Sequence, residues 1–193
     1  MDVSLDTDIV IHLYKAGMKD TLFCYFDKLY IHEYLLEHEM KIKSINVYNE
    51  FLKDIVAGKI IVVNKKYLAG VGMLKTFVDK LYDIKVLFDF GEANAVALAA
   101  VLGIAALVTD DTKEYGPHES LVNEYVENVI PFAFYELLFL NYIESKIDLN
   151  QLKEKYDTVN NTSFEKPMVF SGRISRVVRR FSSKGTDRDI LDE

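Results

Sequence analysis

Residues 3–13 read VSLDTDIVIHL. Val3 to Leu5 form a short strand candidate. Apolar residues resume at Ile9, and the helix they suggest runs from Thr7 to Ala16, closed by Gly17. Two carboxylates, Asp6 and Asp8, stand at the seam with Thr7 between them. Helix capping explains one acid at such a place, a role worth about 1 kcal/mol. A metal ion explains two.

The same alternation continues outward from that seam. A second helix covers Asp20 to Lys28, and a brief strand covers Leu29 to Ile31. EYLLEHEM (33–40) turns helical. SINVYNEFLKDIVAG (44–58) is amphipathic, with Ser44 at its start and Gly58 at its stop. KIIVVN (59–64) is a β-branched strand. KKYLAGVGMLKTFVDKLYDIK (65–85) reads as one helix weakened by Gly70 and Gly72. GEANAVALAAVLG (91–103) is apolar on nearly every side, so it is a buried helix. AALVTDD (105–111) is a strand ending in acids, and NVIPF (128–132) is a last strand. Two closing helices follow, and TVNNTSFEKP (158–167) reads as a linker. Strands alternating with helices predict an α/β fold: a three-layer α/β/α sandwich around a central, mostly parallel sheet.

Composition bounds the rest. The chain has 193 residues, half of them hydrophobic, which suits one sizeable core. Residues 1–150 are expected to form the main domain, and 151–193 a C-terminal helix with a basic tail. The single cysteine, Cys24, excludes an internal disulfide, and within LFCYF it reads as a core residue. The opening MDVSLD has no basic segment leading an apolar one, and no apolar run reaches the length of a spanning helix. A soluble, cytoplasmic protein with no membrane partner is therefore expected. The net charge is −7, yet Gly172 to Lys184 carries five basic residues and no acid, leaving −12 on the remainder. So acidic a body disfavours simple electrostatic binding of nucleic acid. It is compatible with a site where bound cations neutralise acids locally.

The acids follow the strands. Asp6 and Asp8 come after the first, Glu33 and Glu37 after the second, and Asp110 and Asp111 after AALVT; Glu92 opens the buried helix. In a parallel sheet these carboxylates share the carboxyl rim, where α/β folds bind ligands. Charges brought within about 4 Å repel by about 4 kcal/mol at an effective dielectric near 20, so they take up protons or recruit a cation. Oxygen-only ligands suit Mg²⁺ or Mn²⁺. Taken singly, each acid also fits a cap, a helix dipole or a solvated surface. The four histidines (His12, His32, His38, His118) form no zinc-ligand pair. No phosphate-binding glycine loop and no nucleophile-elbow serine is found.

VSLDTDIVIHL resembles the opening strand and helix of PIN domains. DFGEANAVALAAVLGIAALVTDD (89–111) resembles the second half of that fold, and LYIHEYLLEHE (29–39) takes the place of its Glu-bearing helix. The resemblance runs from about Val3 to Phe132. It implies a Mg²⁺- or Mn²⁺-dependent endoribonuclease, a hydrolase of phosphodiester bonds, with toxin–antitoxin toxins among its relatives. By position it makes Asp6, Glu37 (with Glu33 as the competitor), Glu92 (with Asp89 as the competitor) and Asp111, with Asp110 beside it, the catalytic metal ligands. Asp8 and Thr109 would orient ligands or waters. It also implies an RNA substrate and a homodimer. The chain departs from the family in carrying Asp8 where Asn is usual, a long stretch between Lys41 and Asp89, and the tail.

Two other readings compete. SLDTDIV also satisfies the Asp-x-Asp motif of haloacid-dehalogenase-type phosphatases, with Asp6 as nucleophile and Asp8 as acid/base. Against it, Glu92 stands where a phosphate site wants a lysine. The second is a PIN-like module that binds nucleic acid or protein without cutting. In the tail, GRISRVVRRF (172–181) sets Ile174, Val177, Val178 and Phe181 on one helical face, with Arg173, Arg176 and Arg180 opposite and Arg179 nearby. That face reads as a helix docked on its own body, as a contact for RNA phosphates, or as a contact for an acidic partner such as an antitoxin.

Overall fold

A computed structural model describes residues 1–109, 122, 126, 128–163 and 169–182. The chain divides into two compact units, Met1–Phe134 and Tyr135–Glu193. The first is an α/β unit built on a five-stranded, all-parallel sheet flanked by helices. Its strands are β1 (Val3–Leu5), β2 (Leu29–His32), β3 (Ile60–Val63), β4 (Ala106–Val108) and β5 (Ile130–Phe132), in spatial order β3-β2-β1-β4-β5.

Strands this short and apolar are explained by burial on both faces. Val3 and Leu5 are fully buried, and so is Ser4 between them. Its hydroxyl faces the other way and donates to the Ala95 carbonyl at 2.9 Å. Ala95 belongs to the helix Phe90–Leu102, which is buried without interruption from Ala93 to Ala99. Alanine at five of its positions lets this helix lie close beneath the strands. Gly103 ends it in the left-handed region, at φ 66°, where a side chain would be strained.

The strand order puts a topological switch at the centre. The chain leaves β1 towards β2 and β3 on one side, and leaves β4 towards β5 on the other. A crevice therefore opens beyond the carboxyl ends of β1 and β4, the place where such sheets bind ligands. Leu5 pairs with Val108, and the Asp6 amide continues the ladder by donating to the Val108 carbonyl at 2.9 Å. Asp6 and Thr109 thus leave adjacent strands side by side.

Helix α1 (Thr7–Lys15) follows β1, and the short α2 (Asp20–Tyr25) precedes β2. After β2 the chain winds as a π-helix over Leu35–Met40, which continues into α3 (Lys41–Lys43) and is followed by α4 (Ile45–Val56). The single helix expected over 65–85 is two: α5 (Lys65–Gly70) and α6 (Leu74–Ile84). Gly72, at φ 74°, makes the break. The helix Phe90–Leu102 is then α7. Cys24, expected in the core, is exposed. In a helix of six residues, Thr21 and Leu22 take the buried positions, and Phe26 takes the next one beyond its end.

The second unit contains α8 (Phe134–Ile143) from its second residue onward, α9 (Leu149–Ser163) and α10 (Phe170–Ser182). The linker expected from Thr158 onward is helical as far as Ser163. Leu152, Tyr156 and Val159 are buried at i, i+4 and i+7, so the apolar stripe continues into the polar-looking segment. The Thr158 hydroxyl bonds back to the Glu154 carbonyl instead of breaking the turn. No described helix is long and apolar enough to cross a membrane.

Candidate metal centre at the carboxyl rim

Asp6 ends β1 and caps α1: its Oδ1 accepts the Thr7 amide at 2.7 Å. Its Oδ2 accepts the Thr109 hydroxyl at 3.0 Å. The capping role and a functional role therefore coexist in one carboxylate. Burial, then the charge of Asp8, pushes the Asp6 carboxyl from 3.8 up to about 6; Glu39 adds to the rise, and the Thr7 and Thr109 hydrogen bonds oppose it. An acid held this far above its usual range is costly to ionise, and a bound cation would offset that cost. Beside it, the Thr7 hydroxyl is buried with no hydrogen-bond partner among the described residues.

Lys43 supplies one cation. Its Nζ lies 2.7 Å from Asp8 Oδ1 and 3.4 Å from Glu39 Oε2. Burial works against its charge, but Asp8 and Glu39 outweigh that and raise its pKa. Glu39 is also fixed from the other side. Its carboxylate lies against Gly91 in the first turn of α7, where a Cβ would overlap it. Asp6, Asp8, Glu39 and Lys43 thus form one cluster at the carboxyl end of β1, with the start of α7 as its wall.

The residues named from sequence are placed as follows. Asp6, Asp8 and Thr109 are together. Glu37 is directed elsewhere: its carboxylate accepts from Tyr48 Oη at 2.8 Å and from Lys41 Nζ at 3.1 Å. Those two bonds, Tyr48 first, hold its pKa below the ordinary range. Glu33 is exposed and lines the same hollow as Glu37. Glu92 stands half-buried in the first turn of α7, next to Gly91. Asp89 is exposed at the N-cap position, and its side chain makes no capping bond. Asp110 and Asp111 lie outside the described residues.

Glu39 is the acid that sequence reasoning passed over, and its signal was present. It follows buried Leu35 and Leu36 by four and three positions and precedes buried Met40, so it shares the inward face. Glu37 does not. The π-helix carries Leu35 to Met40 with one extra residue per turn, a distortion often found at functional sites.

In the tail, Arg173 is buried, and its guanidinium lies 4.9 Å from the centre of the Tyr135 ring within the second unit. The side chains of Arg176, Arg179 and Arg180 lie outside the described part of the chain.

The donors fit a hard divalent ion in kind, being carboxylates and hydroxyls. Their geometry is partial: among the described residues no group of three or more His, Cys, Asp or Glu is arranged to hold a metal ion. Comparison with family models, curated proteins and solved structures finds no match to this chain.

Proposed function

We propose that the first unit is a Mg²⁺- or Mn²⁺-dependent nuclease of PIN type that hydrolyses a phosphodiester bond of RNA. One observation carries this reading. The Asp6 carboxyl is half-buried at the topological switch point, beside Asp8 and Glu39, and is raised to about 6 by desolvation and by its neighbours' charge. Folding tolerates that cost where function uses it.

Asp6 and Glu39 are the described carboxylates that would hold the ion, with Glu92 and the pair Asp110 and Asp111 added on the strength of the sequence resemblance. Such an ion supplies an activated water and stabilises charge on the phosphoryl group. The chain's own residues prepare the site. The Thr7 amide and the Thr109 hydroxyl orient the two oxygens of Asp6. Lys43 balances Asp8 and Glu39. Water adds to phosphorus, the bond to the 3′ oxygen breaks, and that oxygen takes a proton. The products carry a 5′-phosphate and a 3′-hydroxyl.

The test is cleavage of end-labelled single-stranded RNA in Mn²⁺ or in EDTA, with wild type and Asp6→Asn side by side. Wild type is expected to cut only with Mn²⁺, and Asp6→Asn to lose at least about 100-fold while remaining folded. Full Mn²⁺-dependent activity in Asp6→Asn refutes the assignment.

A phosphatase reading gains one observation, the Lys43 ammonium in an acid pair that otherwise would repel phosphate. Against it, Lys43 bonds Asp8, whereas the proposed nucleophile Asp6 has both oxygens engaged by Thr7 and Thr109. Stabilisation by beryllium fluoride, a mimic of aspartyl phosphate, would select this reading.

A further inference from the structure

The first unit holds a second concavity, an open cavity of about 510 Å³ lined by the end of β2, the π-helix, α5, α6 and the start of α7. Its volume falls within the range of ligand sites, about 300–1,000 Å³. Its inner wall is apolar and aromatic: Leu68 and Phe77 are buried, and His32 stacks on Phe77 with ring centres 5.0 Å apart. Towards the α7 side, Tyr34 meets Phe90 edge-on at 4.6 Å and His38 at 5.1 Å. Phe90 is 49% exposed, unusual for a phenylalanine in a folded unit. Glu33, His38 and Lys65 are exposed around the hollow, and Glu37 lines it as well.

This hollow shares two walls with the acid cluster. On α7, Phe90 lines the hollow while Gly91, the next residue, touches Glu39. On the π-helix, His38 lines the hollow while Glu39, the next residue, faces the cluster. Consecutive Cα atoms are about 3.8 Å apart, so on both elements one residue step separates the two places. A ligand with a phosphodiester at the acid cluster therefore has an aromatic-lined recess directly beside it.

We propose that this recess takes one unpaired nucleobase of a single strand, stacked against Phe90 and Tyr34, next to the phosphodiester held at Asp6 and Glu39. The assignment rests on the nuclease reading for the phosphate's position. Aromatic side chains bind bases of any sequence through stacking. The charged rim argues against a purely apolar ligand, and its mixture of acceptors (Glu33, Glu37) and donors (Lys65) suits the polar edge of a base. A duplex would have to extrude a base to reach the recess, so single-stranded substrate is preferred.

The test measures binding in Ca²⁺, a hard divalent ion that oxygen ligands accept in place of Mg²⁺ or Mn²⁺, with a gel confirming that the strand stays intact. Fluorescence anisotropy compares a labelled single-stranded RNA with a sugar–phosphate strand of equal length that lacks bases. Wild type is expected to prefer the base-bearing strand. Phe90→Ala is expected to reduce that preference by about 5- to 100-fold, and Phe90→Tyr to restore most of it. Phe90 is half-exposed, and the melting temperature of each variant checks that it folds. Equal preference in wild type and Phe90→Ala overturns the proposal, as does the absence of measurable preference in wild type. Mn²⁺-dependent hydrolysis of bis(p-nitrophenyl) phosphate, run on wild type and Asp6→Asn, reports the nuclease reading separately. Absence of that activity in wild type, or its full retention in Asp6→Asn, alongside a Phe90-dependent preference leaves the recess standing as a base-binding site and removes the nuclease.

Discussion

The Thr109 hydroxyl donates to Asp6 Oδ2 at 3.0 Å across 103 residues of chain. The two residues leave adjacent parallel strands in register, Asp6 after β1 and Thr109 after β4. Each is held by a further ladder bond, Asp6 N–H to Val108 and Thr109 N–H to Phe132. The pair is therefore a product of sheet register. Any substitution that preserves register but removes the hydroxyl isolates its chemical contribution.

Thr109→Val is that substitution. It keeps the β-branched shape at a buried site and removes the donor. The Asp6 carboxylate then loses a stabilising bond, so its pKa is expected to rise further. A carboxyl-carbon NMR titration of Asp6 reads the shift directly. Stability near neutral pH should fall by about 1 kcal/mol. An unchanged Asp6 titration would show that the hydroxyl does not support the charge.

Asp6 and His32 predict opposite slopes of stability against pH over nearly the same window. Asp6 rises from 3.8 to about 6 on folding, so between those values the folded state binds the extra proton and stability falls as pH rises. His32 falls from 6.5 to about 4 through burial, so there the unfolded state binds the extra proton and stability rises with pH. Thermal melts from pH 4 to 7 can separate them. Asp6→Asn is expected to exceed wild type in stability at pH 7 by roughly 1–3 kcal/mol without divalent ions, with the advantage gone near pH 4. His32→Asn should show its advantage at pH 4 and lose it by pH 7. Parallel curves for either variant and wild type would contradict the burial of that group.

The part of the candidate site around Asp6 and Thr109 was legible because strands buried on both faces read as short apolar runs. Val3–Leu5 and Ala106–Val108 stop abruptly at polar residues, so Asp6 and Thr109 mark their own strand ends. Glu39 was harder. Three glutamates crowd 33–39, and only the inward phase of a distorted helix distinguishes them. Glu37 is selected by its position in the family resemblance, which does not carry the phase of this helix. Residues 158–163 misled for a different reason: polar composition suggests a loop, while Val159 and the buried Asn160 hold the helix to its unit. Tertiary contact overrides composition there.

Asp54 carries a stability prediction remote from the acid cluster. Its side chain is only 7% exposed and accepts from Tyr14 Oη and Lys19 Nζ, both at 2.9 Å, with Lys59 Nζ at 3.3 Å. Burial alone would raise its pKa, yet these partners, Lys19 first, hold it below the ordinary range. In Asp54→Ala the lysines can turn to water, whereas the buried Tyr14 hydroxyl loses its acceptor. Chemical denaturation should show a loss of about 2 kcal/mol, and Tyr14→Phe a loss nearer 1 kcal/mol. The double variant should lose less than the sum, because both changes break one bond.

Gly91→Ala tests whether Glu39 belongs to the functional cluster. A Cβ at position 91 would overlap the Glu39 carboxylate, and nothing else stands as near. That carboxylate is the far end of a flexible side chain, so it can swing aside without disturbing the backbone. Alanine in the first turns of α7 also favours the helix by up to about 1 kcal/mol over glycine. The two effects point in different directions for fold and function. The melting temperature should stay within a few degrees of wild type, while Mn²⁺ affinity, read by the Mn²⁺-induced rise in that temperature or by calorimetry, should weaken about tenfold or more. Glu39→Gln should weaken Mn²⁺ binding similarly by removing the charge in place, and Glu37→Gln should leave it near wild type, since Glu37 is engaged by Tyr48 and Lys41. The reverse ranking, with Glu37→Gln the damaging change, would move the second acid of the site from Glu39 to Glu37.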